Sequence, residues 1–149
     1  MLIDKHGYAL LTDFGLSKEN ITEVERANSL CGTAEYLAPE VLEKKRSYGK
    51  ACDWWSFGCV IYEMLTGCPP FYSTNRQEMF QKIKKNEVVF KPFHTDDMRD
   101  LLSRLLIKDP SKRLSNAQEI MAHPFFAGVD WDLMMARKLA TPYIPVLQD

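Results

Sequence analysis

The sequence lacks the features that mark the unusual classes of protein. No apolar run in its 149 residues approaches the ~20 that a membrane-crossing helix needs. Neither sign of charge dominates: 19 basic and 20 acidic side chains leave a formal charge of -1. A general nucleic-acid or anionic-membrane binder would need a large positive field, so neither is expected as a partner. Met1-Leu2-Ile3-Asp4-Lys5 places no basic region ahead of an apolar one, and no signal peptide is expected. Cysteine is sparse. Cys31, Cys52, Cys59 and Cys68 form no C-x-x-C pair, and His6, His94 and His123 are scattered. That spacing disfavours a zinc site or a disulfide framework. It points to reduced thiols inside the cell, in the cytoplasm first and the nucleus second. Repeats and low-complexity linkers are absent too. What is present, 46% apolar and 26% charged residues, is the composition of a single globular domain.

The front of the chain alternates short apolar runs with a turn. Met1-Leu2-Ile3 and Tyr8-Ala9-Leu10-Leu11-Thr12 flank Asp4-Lys5-His6-Gly7, a pattern that predicts a small β-hairpin. Residues 13–37 hold no sustained period and read as a long loop, which in a compact domain is usually functional. From Lys50 to Thr66 the sequence is apolar almost all round, with Trp54, Trp55, Phe57, Val60, Ile61, Met64 and Leu65, and Gly67 closes it. This predicts a central buried helix, and Pro69-Pro70 forbids its continuation. Asn75 with Glu78 is a capping pair that opens a helix through about Lys85. Thr95 caps another, whose Met98, Leu101, Leu102, Leu105 and Leu106 form an amphipathic stripe. Ser115 and Gln118 are expected to cap a short helix before His123-Pro124. From Ala127 the tail reads as extended chain, with Pro142 and Pro145. The expected fold is mainly α with one hairpin at the front.

Four motifs punctuate this scaffold. Asp13-Phe14-Gly15 directly follows the second predicted strand, and Ala38-Pro39-Glu40 comes 25 residues later. Asp53-Trp54-Trp55-Ser56-Phe57-Gly58 opens the central helix, and Asp109-Pro110 with Arg113 follows. In this order and spacing they resemble the C-terminal lobe of a eukaryotic protein kinase over residues 1–126. Ser29-Leu30-Cys31-Gly32-Thr33-Ala34-Glu35-Tyr36-Leu37-Ala38-Pro39-Glu40 resembles the activation segment of the AGC group of Ser/Thr kinases. Tyr62 to Tyr72 and His123-Pro124-Phe125-Phe126 are similar to the same group. Residues 127–149, with Thr141-Pro142-Tyr143-Ile144-Pro145, resemble the start of its C-terminal tail. Ala34 departs from the pattern, which has Pro there.

The resemblance implies roles residue by residue. Asp13 would bind the Mg²⁺ that accompanies ATP, because Mg²⁺ takes hard carboxylate oxygens. Phe14 would be a packing residue that sets where Asp13 points, and Gly15 would supply backbone freedom. Ser29 is the candidate activating phosphosite, with Lys18 as a phosphate partner and Arg26 close in sequence; a plain loop serine is the alternative. Thr33 would position the catalytic base, although an ST-turn at Gly32-Thr33 would look the same. Leu30, Ala34 and Leu37 would form the pocket for the residue after the phosphoacceptor. Glu35 and Glu63 match positions that hold substrate arginines. For Glu63 a solvent-facing carboxylate at a helix end is the plain alternative. Glu40 and Arg113 would form a structural ion pair. Asp53 would accept hydrogen bonds from the catalytic loop and is expected to sit buried without partners here.

That loop, with its base and second metal ligand, has no counterpart in these residues, nor has the Gly-rich loop with its phosphate-binding Lys. The implied function is part of an ATP- and Mg²⁺-dependent Ser/Thr kinase acting on protein substrates with Arg N-terminal to the acceptor, switched on by an upstream kinase. By itself the chain is expected to transfer no phosphate. A non-catalytic binding lobe and a truncated gene product are the alternatives.

Overall fold

A computed structural model describes residues 1–14, 33–43 and 48–146. Gly15, Lys18, Arg26, Ser29 and Leu30 lie outside these. The chain divides into two compact units, Met1–Ser17 with Phe126–Asp149, and Lys18–Phe125.

In the first unit β1 (Leu2–Ile3) pairs antiparallel with β2 (Ala9–Leu10), Leu2 opposite Leu10 and Ile3 opposite Ala9. Asp4 builds the turn, its Oδ1 accepting the N–H groups of His6 and Tyr8 at 2.9 Å each. Gly7 closes it at φ 87°, a value that costs glycine little. The tail is not simply extended, as the sequence suggests. Asp130 caps a five-residue helix, Trp131–Met135, by accepting from the Leu133 N–H at 2.9 Å. Among its described residues this unit buries none fully. Phe14, expected to pack, is accordingly 67% exposed.

The second unit holds the core. α1 (Ala51–Thr66) lies against α3 (Asp96–Leu105), Met79 and Ile83 of α2 (Arg76–Lys85) join Trp55 and Cys59 of α1 in one apolar cluster, and α4 (Ala117–Met121) follows α3 in the chain. Close approach of α1 and α3 is possible because Gly58 has no side chain: a Cβ there would sit 3.0 Å from Leu105 Cβ and 3.1 Å from Leu106 Cδ2. Leu101, Leu102 and Leu105 of the predicted stripe are wholly buried, as are Trp55, Cys59 and Ile83. The caps of α2 and α3 are those the sequence predicts, Asn75 accepting from Gln77 and Glu78, and Thr95 from Met98. For α4 the cap falls one residue later than expected, at Asn116, which accepts from Glu119. Ser115 and Asn116 can both cap and each has an acceptor three residues on, so spacing alone does not choose between them.

Two expectations about α1 need correction. It is not apolar-buried all round: within its unit Phe57 and Leu65 are each 37% exposed and Met64 is 69% exposed. The segment Ala34–Glu43 and α3 cover only part of its circumference. Asp53 is exposed, not buried, because the first turn of α1 projects to solvent; its Oδ1 lies 3.7 Å from Cys52 Sγ. An acidic group there also suits the positive end of the helix dipole.

Trp55 stacks on Phe71, centroids 5.6 Å apart, and Lys108 Nζ lies 3.8 Å from the Phe71 centroid and 4.7 Å from that of Trp55. That ammonium is buried with no hydrogen-bond partner, and burial pushes its pKa down to about 8. The folded state therefore releases this proton before the unfolded state does, and the Lys108 contribution to stability rises with pH between about 8 and 10.5. Cys52 and Cys59, both pushed up to about 12 by burial, act in the opposite sense above pH 9. Lys108→Met isolates the lysine. Urea midpoints should favour the variant most below pH 8, and the difference should shrink towards pH 10; a pH-independent difference would refute a desolvated ammonium.

Candidate functional site

The residues just before Ala38-Pro39-Glu40 are fixed to α1 by two side-chain hydrogen bonds. A short 3-10 helix, Ala34–Tyr36, follows Thr33, whose side chain makes no capping bond. Ser56 Oγ on α1 donates to the Tyr36 carbonyl at 2.8 Å. The Tyr36 hydroxyl donates to Glu63 Oε2 at 2.5 Å, one α1 turn from its end. That carboxylate pushes the Tyr36 pKa up to about 12, with burial and the Glu35 charge adding in the same direction. One Glu63 oxygen is thus engaged, and the residue is half-buried and not the fully solvent-facing carboxylate of the plain alternative. Ala34 and Glu35 are half-buried, and Leu37 is only 9% exposed, packed inward from the same segment. Tyr36 and Ser56 escape the sequence reading, since nothing local links residues 20 and 27 positions apart.

Beneath this segment Arg113 and Glu40 meet. Arg113 Nη1 and Nη2 donate to Glu40 Oε1 and Oε2 at 2.6 and 2.8 Å, with both side chains buried. The remaining donors reach backbone carbonyls, Nη1 to Ala51 at 2.8 Å, Nη2 to Lys108 at 3.3 Å and Nε to Ile107 at 2.9 Å. All five guanidinium N–H groups are spent. The guanidinium also lies over Trp55, 5.2 Å from its centroid.

Asp13 belongs to the first unit and is exposed, with φ at 62°, a left-handed conformation that Asp tolerates better than most residues. Its carboxylate suits Mg²⁺ chemically. Among the described residues no group of three or more His, Cys, Asp or Glu is placed to hold a metal.

The protein kinase domain profile matches residues 1–126. The chain belongs to the protein kinase family. Among curated proteins it is 47% identical over 146 residues to the RAC family serine/threonine-protein kinase homolog of Dictyostelium discoideum, covering 97% of this chain and 33% of that protein. It is 46% identical over 157 residues to human ribosomal protein S6 kinase alpha-4, covering 99% and 20%. Against human serine/threonine-protein kinase Sgk1 it is 46% identical over 148 residues, covering 97% and 34%. The likeness to AGC Ser/Thr kinases drawn from the motifs is that of these relatives, and the helical body with its hairpin is a kinase C-terminal lobe. The chain spans about a third or less of the length of each of these relatives.

Removing one member of a buried ion pair leaves the other charged and unpaired. Glu40→Gln should therefore destabilise the chain by about 3–5 kcal/mol in equilibrium urea unfolding. A loss below 1 kcal/mol would place the pair in effective contact with solvent.

Proposed function

We propose that this chain is the substrate-binding part of an ATP-dependent Ser/Thr protein kinase, acting on protein hydroxyls with arginine on their N-terminal side. The observation that carries the reading is the Tyr36–Glu63 contact on a kinase lobe: Tyr36 engages Oε2, and the other carboxylate oxygen would receive a guanidinium. Glu35, on the same 3-10 helix, adds a second carboxylate. Leu30, Ala34 and Leu37 would favour an apolar residue after the acceptor, with Leu37 contributing least because it is already packed.

ATP with Mg²⁺ supplies the phosphoryl group and neutralises its charge. Asp13 would give the metal one carboxylate oxygen, and Thr33 would orient the base. Ser29, with Lys18 as phosphate partner, would be the switch that an upstream kinase sets, in an intracellular compartment. These 149 residues alone hold one metal ligand and no base, so by themselves they transfer no phosphate in this reading. A non-catalytic binding lobe is the second reading, favoured by the completeness of the Tyr36–Glu63 platform beside that sparse catalytic set.

The chain should bind a fluorescent peptide with two arginines ahead of a serine more tightly than its glutamate counterpart. Glu63→Gln should weaken that binding about tenfold or more, the range of one charge-assisted contact. Labelled ATP with Mg²⁺ should give no incorporation above an Asp13→Ala control. Equal affinity for the acidic peptide would overturn the arginine preference, and turnover lost in that control would overturn the inactivity.

A further inference from the structure

The tail is fastened to the turn of the hairpin in the first unit. Tyr8 Oη donates to the Leu139 carbonyl at 2.8 Å, and Thr141 Oγ1 donates to the His6 carbonyl at 2.6 Å. Gly7 makes this approach possible: a Cβ there would collide with the Tyr143 carbonyl and lie 2.6 Å from Thr141 Oγ1. Between turn and tail lies a cleft of about 470 Å³, with His6, Tyr8, Arg137 and Thr141 on its polar side and Ile144 on its apolar side. The kinase reading uses none of this.

Arg137 is the cation of this cleft. Its φ of 56° belongs to the end of the helix Trp131–Met135: the Arg137 N–H donates to the Met134 carbonyl at 3.0 Å and the Lys138 N–H to the Leu133 carbonyl at 2.8 Å, a left-handed cap that holds the side chain in place. Its Nη1 comes within 3.0 Å of Asp4 Oδ2, and its guanidinium is 5.4 Å from the Tyr8 ring centroid. Yet Asp4 Oδ2 has no aligned hydrogen bond, and Asp4 is already satisfied through Oδ1 by the turn. Arg137 thus lines the cleft with Thr141, its Nη1 on Asp4 and its charge beside the threonine. Thr141 faces the same cleft and precedes Pro142, the dipeptide that proline-directed kinases read. Residues 139–146 form no helix or strand, and Pro142, Tyr143 and Ile144 are exposed, so the segment can enter another enzyme's active site as extended chain.

We propose that Thr141 is a phosphorylation site for a proline-directed Ser/Thr kinase, and that its phosphate is held in this cleft by Arg137 and His6. In the modification Thr141 Oγ1 attacks the γ-phosphorus of ATP. The new P–O bond replaces the bond to the β-phosphate bridging oxygen, ADP leaves, and the hydroxyl proton passes to the base of the modifying kinase. The ester oxygen can no longer donate to the His6 carbonyl. A neutral hydrogen bond is exchanged for charge-assisted contacts between a group of charge near -2 and the Arg137 guanidinium, with the His6 ring as a further donor. The tail changes from a hydroxyl latch to an ionic one.

The test treats the full 149-residue chain with a proline-directed kinase and Mg-ATP, locates phosphate by mass spectrometry and follows it by ³¹P NMR against pH. Modification is expected at Thr141. Its second ionisation should fall below the value of about 6 found in peptides by half a unit or more, since the Arg137 guanidinium favours the dianion by more than the Asp4 carboxylate on its far side opposes it. In Arg137→Gln, and to a smaller extent in His6→Gln, that ionisation should return towards the peptide value while circular dichroism stays unchanged. The proposal is overturned if Thr141 stays unmodified while a peptide of residues 137–146 is phosphorylated there. It is equally overturned if the phosphate titrates as in that peptide, or if neither substitution moves it.

Discussion

Arg113 is the side chain on which the second unit depends. Its five donors tie together three stretches that are far apart in sequence: Glu40 in the segment after the 3-10 helix, Ala51 at the start of α1, and Ile107–Lys108 after α3. A buried guanidinium is costly unless every N–H is met, and here every one is. Lysine carries the same charge but only three donors on a flexible stem, so it could not hold the three stretches at once. The pair with Glu40 is architecture, and its effect on chemistry is indirect.

That effect runs through α1. With Glu40 fixed below, the residues just before it are laid along the helix, and Ser56 and Glu63 of α1 receive the backbone and hydroxyl of Tyr36. In the proposed function this contact would aid the binding of a guanidinium, because a carboxylate held beforehand loses less rotamer freedom on binding. The same core that supports this arrangement holds a strained element. Lys108 is kept among Trp55, Phe71 and Arg113 without a hydrogen bond, and the attraction of its ammonium to two aromatic rings offsets part of the desolvation.

Much of the fold is legible in the sequence because its signals are local. The stripe of α3 is a spacing of leucines, the end of α1 is Gly67 before Pro69-Pro70, and the hairpin is two apolar runs around Gly7. What the sequence does not disclose is non-local or ambiguous. Tyr36 meets Glu63 across 27 positions, and Arg137 meets Asp4 across the whole length of the chain. Helix Trp131–Met135 is too short to show a period, and only Asp130 announces it. Asp53 looks stranded beside two tryptophans, yet a helix's first turn can point a charge outward while its neighbours point in. Leu30, Ser29 and Lys18 fall outside the described residues, so their roles rest on resemblance alone.

The central claim is that Arg113 holds the platform locally and does not merely add to global stability. Hydrogen exchange resolved by residue, in the native chain and in Arg113→Lys, tests it most directly. The account predicts that the amides of Tyr36 and Leu37, bonded to Thr33 and Ala34, and those of Val41 and Leu42 exchange much faster in the variant. Leu102, Leu105 and Leu106 in and after α3 should keep most of their protection. An equal acceleration at every amide, or none in residues 36–42, would contradict it.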